Sequence, residues 1–224
     1  IISMAIAIPI SILSAVYISE YAPAKAVRPV SSFIDVIAGI PSVVFGICAL
    51  AVLVPFVSDY LGPMFGVNTT GMCVFTAGVV LAVMVFPIII SLSVESLKSL
   101  PVELREASLS LGATKWQTVK KVLFKAAGPG MLSAVLLGFG RAFGETMAVA
   151  MVVGNKNMVP ENIFSAGQTL PSIIVTSFGE MMSIPIEQSV LVFAALILFI
   201  VVTVFNILSR IVGEMLRRRT GYGI

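Results

Sequence analysis

Arg141 and Glu145 stand four residues apart in "LLGFGRAFGETMAVAMVV", Leu136 to Val153, a stretch otherwise composed of residues that belong in hydrocarbon. On a helix that spacing puts both on one face, and Ala134, Gly138, Ala148 and Val152 continue the stripe with small side chains. A guanidinium offers a fork of donors matched to an oxyanion, and a nearby carboxylate moderates its pull so that a bound anion can leave again. Gly140 and Gly144, spaced G-x-x-x-G, equally suit close approach of a second helix. A self-neutralised pair that only holds helices together is therefore the other reading of the same residues. A lone Arg at the centre of a span costs roughly 2.5–3.5 kcal/mol to insert, so it must face protein, water or a partner charge.

The elements that have to position this pair follow from composition. Of 224 residues, 58% are hydrophobic and 11% charged, with a mean hydropathy of +1.08; soluble domains run at about 45–50% apolar and about 25% charged. Apolar runs of about 20 residues, enough to cross a bilayer, are predicted at Ile1–Ser19, Ile34–Val57, Thr70–Val94, Gly130–Val153 and Ser189–Ser209. The expected fold is all-α, a polytopic helical membrane protein with five visible spans in a single domain. The chain opens on Ile rather than Met, without the basic leader and cleavage site of a signal peptide, so one preceding helix, six in the full chain, is expected.

Basic residues near span ends accumulate on the cytoplasmic side. Lys25 and Arg28 lie between spans one and two, six cations from Lys98 to Lys125 between three and four, and Arg210, Arg217, Arg218 and Arg219 beyond span five. The opposite loops hold Lys156 against Asp59, Glu161, Glu180 and Glu187. Segment 99–130 and the C-terminus are thus expected in the cytoplasm. The sequence has no histidine, which excludes His-based triads, relays and metal sites. Cys48 and Cys73 have no metal-ligand spacing and read as apolar filler. No metal or cofactor is expected.

"SEYAPAKAVRPVSS" reads as a cytoplasmic connector with Tyr21 as an interfacial anchor. In "AGIPS", Gly39 and Pro41 predict a kink or broken start to span two. Asp35 reads as a solvated or capping carboxylate. The outer segment from Gly154 to Ser189 has too many Gly and Pro to cross the bilayer and is too apolar for a free linker; a short helix or re-entrant piece is expected there. No internal repeat is visible, which weighs against the inverted-repeat plan of many secondary transporters.

"SLPVELREASLSLGATKWQTVKKVLFKAAGPG", Ser99 to Gly130, carries further signals. Pro101 and Glu103 suit a first helical turn and Gly112 a C-terminal stop, giving a helix of about three turns with Leu104, Ala107, Ser108 and Leu111 along one side. Thr114 to Gln117 has the form of a capping box. It opens a second helix with Trp116, Val119, Val122 and Leu123 opposed to Lys115, Lys120, Lys121 and Lys125, expected to lie in the membrane interface. Gly128-Pro129-Gly130 is then expected to break the direction before span four. The first helix either docks on a soluble partner or is an ordinary amphipathic loop.

This loop resembles the EAA loop of ABC-importer permeases, of the form E-A-A-x3-G-x9-I-x-L-P. Glu106, Ala107, Ser108, Gly112 and Val122 fall on it, with Ser108 in place of the second alanine and Phe124-Lys125 in place of Leu-Pro. "AGIPSVVFG", Ala38 to Gly46, and "GRAFGETMAVAMVVGN", Gly140 to Asn155, are similar to the phosphate-specific Pst branch of that family, more to its PstC-type than its PstA-type permeases.

The resemblance implies a permease in the bacterial inner membrane that moves phosphate by alternating access. Arg141 and Glu145 would line the path, with Glu145 accepting a hydrogen bond from the proton that phosphate retains and sulfate lacks. Glu103, Glu106, Ala107, Ser108, Leu111 and Gly112 would couple to ATPase subunits. The implied partners are a second, PstA-type permease, two cytoplasmic ATPases, an external phosphate-binding protein and membrane lipid, with no nucleic acid. The chain has no G-x-x-x-x-G-K-[ST] phosphate loop, so ATP hydrolysis is expected in a partner. Permeation of another oxyanion, ion-coupled secondary transport, an anion channel, and an intramembrane enzyme using Glu145 as acid or base are the remaining alternatives; the last lacks a nucleophile partner.

Overall fold

The computed structural model describes residues 1–181 and 185–219. These are helical apart from connecting loops and one bridge between Gly154 and Gly167. Five helices are long and apolar enough to cross a membrane: α1 (Ile2–Tyr21), α3 (Ser42–Met64), α4 (Val74–Lys98), α6 (Lys115–Gly144) and the stretch Pro185–Glu214 of α9 (Pro185–Arg219). Between them lie α2 (Ala24–Gly39), α5 (Val102–Ser110), α7 (Met147–Val152) and α8 (Leu170–Met181). The contacts divide into two compact units, one of residues 1–6, 39–85 and 140–203, the other of 7–38, 86–139 and 204–224.

In the first unit, Ala49 and Val54 of α3, Ala77, Val80 and Met84 of α4, and Val149 and Val152 of α7 form one buried cluster. Gly46 allows α3 to lie against α7, since a Cβ there would stand 3.2 Å from the Ala148 Cα. Helix α3 widens into π-type turns at Ala49–Leu53 and Val57–Leu61, just ahead of Pro55 and Pro63. A proline ring clashes with the carbonyl of the preceding turn, and a wide turn relieves that clash. The predicted break at Gly39 and Pro41 is present: α2 ends at Gly39 and α3 starts at Ser42 with Pro41 as its N-cap.

The loop after α7 is tied down by its backbone. Gly167 N–H donates to Val153 O at 2.9 Å, while Val74 and Phe75 at the start of α4 donate to Ser165 O and Ile163 O. Orphan donors of a helix start are thereby satisfied, and the Phe164 ring makes tilted contacts with Phe65 and Phe75, their centroids 5.4 and 5.5 Å away. The short helix expected in the outer segment is α8; positions 182–184 of that segment lie outside the described residues.

The second unit adds one feature and corrects one expectation. "SEYAPAKAVRPVSS" is mostly helix, with Pro29 inside α2; Val27 and Ile34 pack on Ala15, Ile18 and Val94, and that burial outweighs the proline. Gly128-Pro129-Gly130 does not turn the chain, because α6 runs from Lys115 through Pro129. Val119, Leu123, Ala127 and Met131 recur every fourth residue and pack with Val16 and Leu97. Gly130 sits where a Cβ would lie 2.7 Å from the Ser96 Cβ, so close packing on α4 holds the helix straight past the one N–H that proline removes. The interfacial helix and span four are one element. Lower on α6, Ser133 and Ser209 of α9 exchange hydroxyl and carbonyl hydrogen bonds at 2.9–3.0 Å.

Candidate functional site

Arg141 lies in the last turn of α6, which ends at Gly144. The expectation that it sits mid-span on a helix continuing to Val153 is corrected, and the reason is local. In an unbroken helix Ala148 N–H would donate to Gly144 O; here Ala148 N–H goes to Glu145 Oε1 at 3.4 Å, and Gly144 O accepts from Thr146 Oγ1 at 3.2 Å. Two side chains have taken both ends of one ladder bond. Irregular backbone at membrane depth requires such replacement partners, and Gly144, with no Cβ, weakens the helix where it happens.

Glu145 therefore stands beyond the helix that carries Arg141 and serves the start of α7. The continuous stripe from Ala134 to Val152 is not formed. Arg141 is exposed and Glu145 half-buried, and among the described residues Arg141 has no ion pair, so the self-neutralised pair is not formed either. What remains is a cation at a helix end, open to a ligand's charge and offering up to five N–H donors.

The loop residues fold as predicted. Helix α5 starts on Pro101, and Gly112 at φ +82° closes it. Gly112 N–H donates to Leu109 O and Ala113 N–H to Ser108 O, the paired bonds of a Schellman ending. Thr114 and Gln117 make the capping box, at 2.9 and 3.3 Å. The side expected to carry Leu104, Ala107, Ser108 and Leu111 divides. Ser108 turns inward to Thr118 Oγ1 at 2.9 Å and Leu104 is half-buried. Glu103, Glu106, Ala107 and Gly112 face outward, with Leu111 at 89% exposure. Asp35 is exposed on α2, consistent with a solvated carboxylate. Lys115 Nζ stands 4.8 Å above the Tyr21 ring.

Arg105 belongs to no motif of this loop, and neither does Glu20 of the connector before it. The structure joins them: Arg105 Nη2 reaches Glu20 Oε1 at 2.8 Å, with Nε at 3.2 and 3.3 Å from its two oxygens. Arg105 also donates to Leu97 O and Leu100 O at 2.8 and 3.1 Å. No periodicity links positions 85 apart; a charged residue on the inward side of a short helix, beside Leu104 and Ser108, was the available signal.

The chain matches the family described as binding-protein-dependent transport system inner membrane component over residues 7–222. It is 40% identical to the probable ABC transporter permease protein YqgH of Bacillus subtilis, over 94% of this chain and 66% of that protein. It is 34% identical to the phosphate transport system permease protein PstC of Haemophilus influenzae, over 98% of this chain and 74% of that one. It thus spans about two thirds to three quarters of the length of these relatives. Among solved structures, the MetNI methionine ABC transporter in an inward-facing conformation is similar in fold, with a TM-score of 0.66 at 23% identity over 94% of this chain and 89% of that chain. An all-helical chain with five apolar spans, matched over nearly its whole length, belongs to the family of binding-protein-dependent transport system inner membrane components.

Proposed function

We propose that this chain is the permease subunit of an ATP-driven importer that moves inorganic phosphate into the cytoplasm by alternating access, and that residues 1–224 act as one permease domain. The observation that carries the reading is the similarity, over 98% of this chain, to a phosphate transport permease, in a chain whose Arg141 is exposed at a break between two helices and has no ion pair among the described residues. A guanidinium there meets a passing oxyanion without an internal counter-ion to displace. Glu145, four residues on in the sequence, keeps the site from trapping the anion and accepts a hydrogen bond from the proton that phosphate retains.

Helix α5 faces the cytoplasm and docks one of the two ATPase subunits through Glu103, Glu106, Ala107 and Leu111, with Ser108 and Gly112 fixing its shape. ATP is hydrolysed there and not by this chain. Closure of the ATPases pushes α5, tilts the spans and opens the Arg141 region outward. A second permease of PstA type, an external phosphate-binding protein that docks on residues 155–189, and membrane lipid complete the assembly, and the C-terminus is cytoplasmic.

The test is reconstitution of the chain with these partners in vesicles. Uptake of labelled phosphate should require ATP and be competed by phosphate, not by sulfate or molybdate. Competition by another oxyanion would change the substrate, and uptake insensitive to ATP depletion would replace the importer with an ion-coupled transporter or a channel.

A further inference from the structure

Helix α5 buries none of its own residues, so a displacement imposed on it enters its unit through the few side chains that point inward. Ser108 supplies one hydrogen bond, to Thr118. Arg105 supplies five, three to the Glu20 carboxylate and one each to the carbonyls of Leu97 and Leu100. Leu97 belongs to the last turn of α4, Leu100 follows its end, and Glu20 sits in the wide turn Tyr17–Tyr21 that closes α1. One guanidinium therefore ties the coupling helix to the ends of two membrane-spanning helices.

The physical character of the tie suits transmission. Glu20 is 8% and Arg105 21% exposed, so salt screens the pair far less than it would an ion pair on the surface. The guanidinium fork is planar and rigid, and its five bonds fix it in direction as well as distance. Leu97 and Val16, beside the tie, are packed in the core with Val119 and Leu123. Movement of α5 cannot leave the ends of α1 and α4 behind without breaking charge-assisted bonds that are largely shielded from water.

We infer that Glu20 and Arg105 form a positioning linkage that passes movement of the coupling helix to the first and third spans, keeping ATP hydrolysis and transport in step. The linkage rests on the reading of the chain as an ATP-driven permease. It predicts that breaking the pair lowers the number of anions moved per ATP hydrolysed, whereas a purely structural contact would lower both rates together with the amount of intact complex.

The experiment uses the full complex in vesicles, with hydrolysis and uptake measured on the same preparation for Arg105→Ala, Glu20→Ala and the double variant. Each single change should reduce the transported-to-hydrolysed ratio on the order of tenfold, within the range of coupling between two sites. The double variant should lose no more than either single one, as expected for two residues acting through one contact. If any variant fails to assemble, Arg105→Lys and Glu20→Gln take their place, with a smaller loss of the same ratio expected. An unchanged ratio in the assembled variants overturns the linkage, as does a double variant whose loss is the product of the two single losses. The unaltered complex separates this from the substrate: if it moves a different oxyanion, the ratio is measured with that ion, and if it moves none with ATP, the importer reading itself falls.

Discussion

Glu145 accepts the backbone N–H of Ala148 at 3.4 Å and thereby holds the start of α7, while Arg141 has no ion pair among the described residues. Its acceptor role and its charge are separable. Glu145→Gln keeps an Oε1 for the Ala148 N–H and removes the negative charge, so α7 should stay in place and the complex should assemble in normal amounts. Sulfate, which has no proton to donate in a hydrogen bond to the carboxylate, should then compete with labelled phosphate more effectively than in the parent. Unchanged sulfate competition would refute the discrimination assigned to Glu145.

Arg141 contributes no ion pair among the described residues and is exposed, so its removal leaves neither a cavity nor a stranded partner. Arg141→Ala should abolish phosphate uptake while the amount of assembled complex stays unchanged. Arg141→Lys retains the charge and loses the planar fork, and should keep only part of the uptake. Full uptake by the alanine variant would move Arg141 from the anion path to a packing role.

Much of this architecture was legible as periodicity. The break at Gly39 and Pro41, the helix that Pro101 opens and Gly112 closes, and the Thr114–Gln117 box are local, and the structure contains each of them; it also has five apolar spans, with the second moved to Ser42–Met64 and the fourth to Lys115–Gly144. The errors arose where tertiary packing or side-chain chemistry overrode a local rule. Gly128-Pro129-Gly130 is a breaker in isolation, yet Ala127, Met131 and the Gly130 contact with Ser96 keep α6 helical. Arg141 and Glu145 have helical spacing, yet side chains replaced the backbone bond between Gly144 and Ala148. The Glu20–Arg105 pair spans 85 positions, and no local pattern reports it.

Gly71 precedes α4 with φ +79°, a conformation that L side chains adopt only with strain. A Cβ there would also run into the carbonyl oxygen of Val54, which is backbone and cannot swing aside. Thr76 Oγ1 donates to Gly71 O at 2.6 Å, so the turn is held from a second side. Gly71→Ala should cost at least the ~1–3 kcal/mol typical of a forced backbone conformation and lower the thermal midpoint of the purified protein by several degrees. Gly66 has φ +69° with nothing within 4 Å of its Cβ position, so Gly66→Asn, which tolerates that conformation, should leave the midpoint nearly unchanged. Equal loss at both positions would show that strain alone, without the Val54 collision, sets the cost.

Ala107 sits on the outward side of α5 with Glu106, near the exposed Leu111. Ser108 and Arg105 on the inward side hold the helix to its own unit. A large charged group at 107 therefore leaves the fold of the chain alone and occupies only the surface that the proposed function gives to ATPase docking. Ala107→Arg should give a chain that inserts and accumulates normally but fails to co-purify with the ATPase subunits, with phosphate uptake lost in proportion. Ala107→Ser, close in size, should retain both. Binding of the ATPases undiminished in the arginine variant would mean that the docking face of α5 lies elsewhere on the helix.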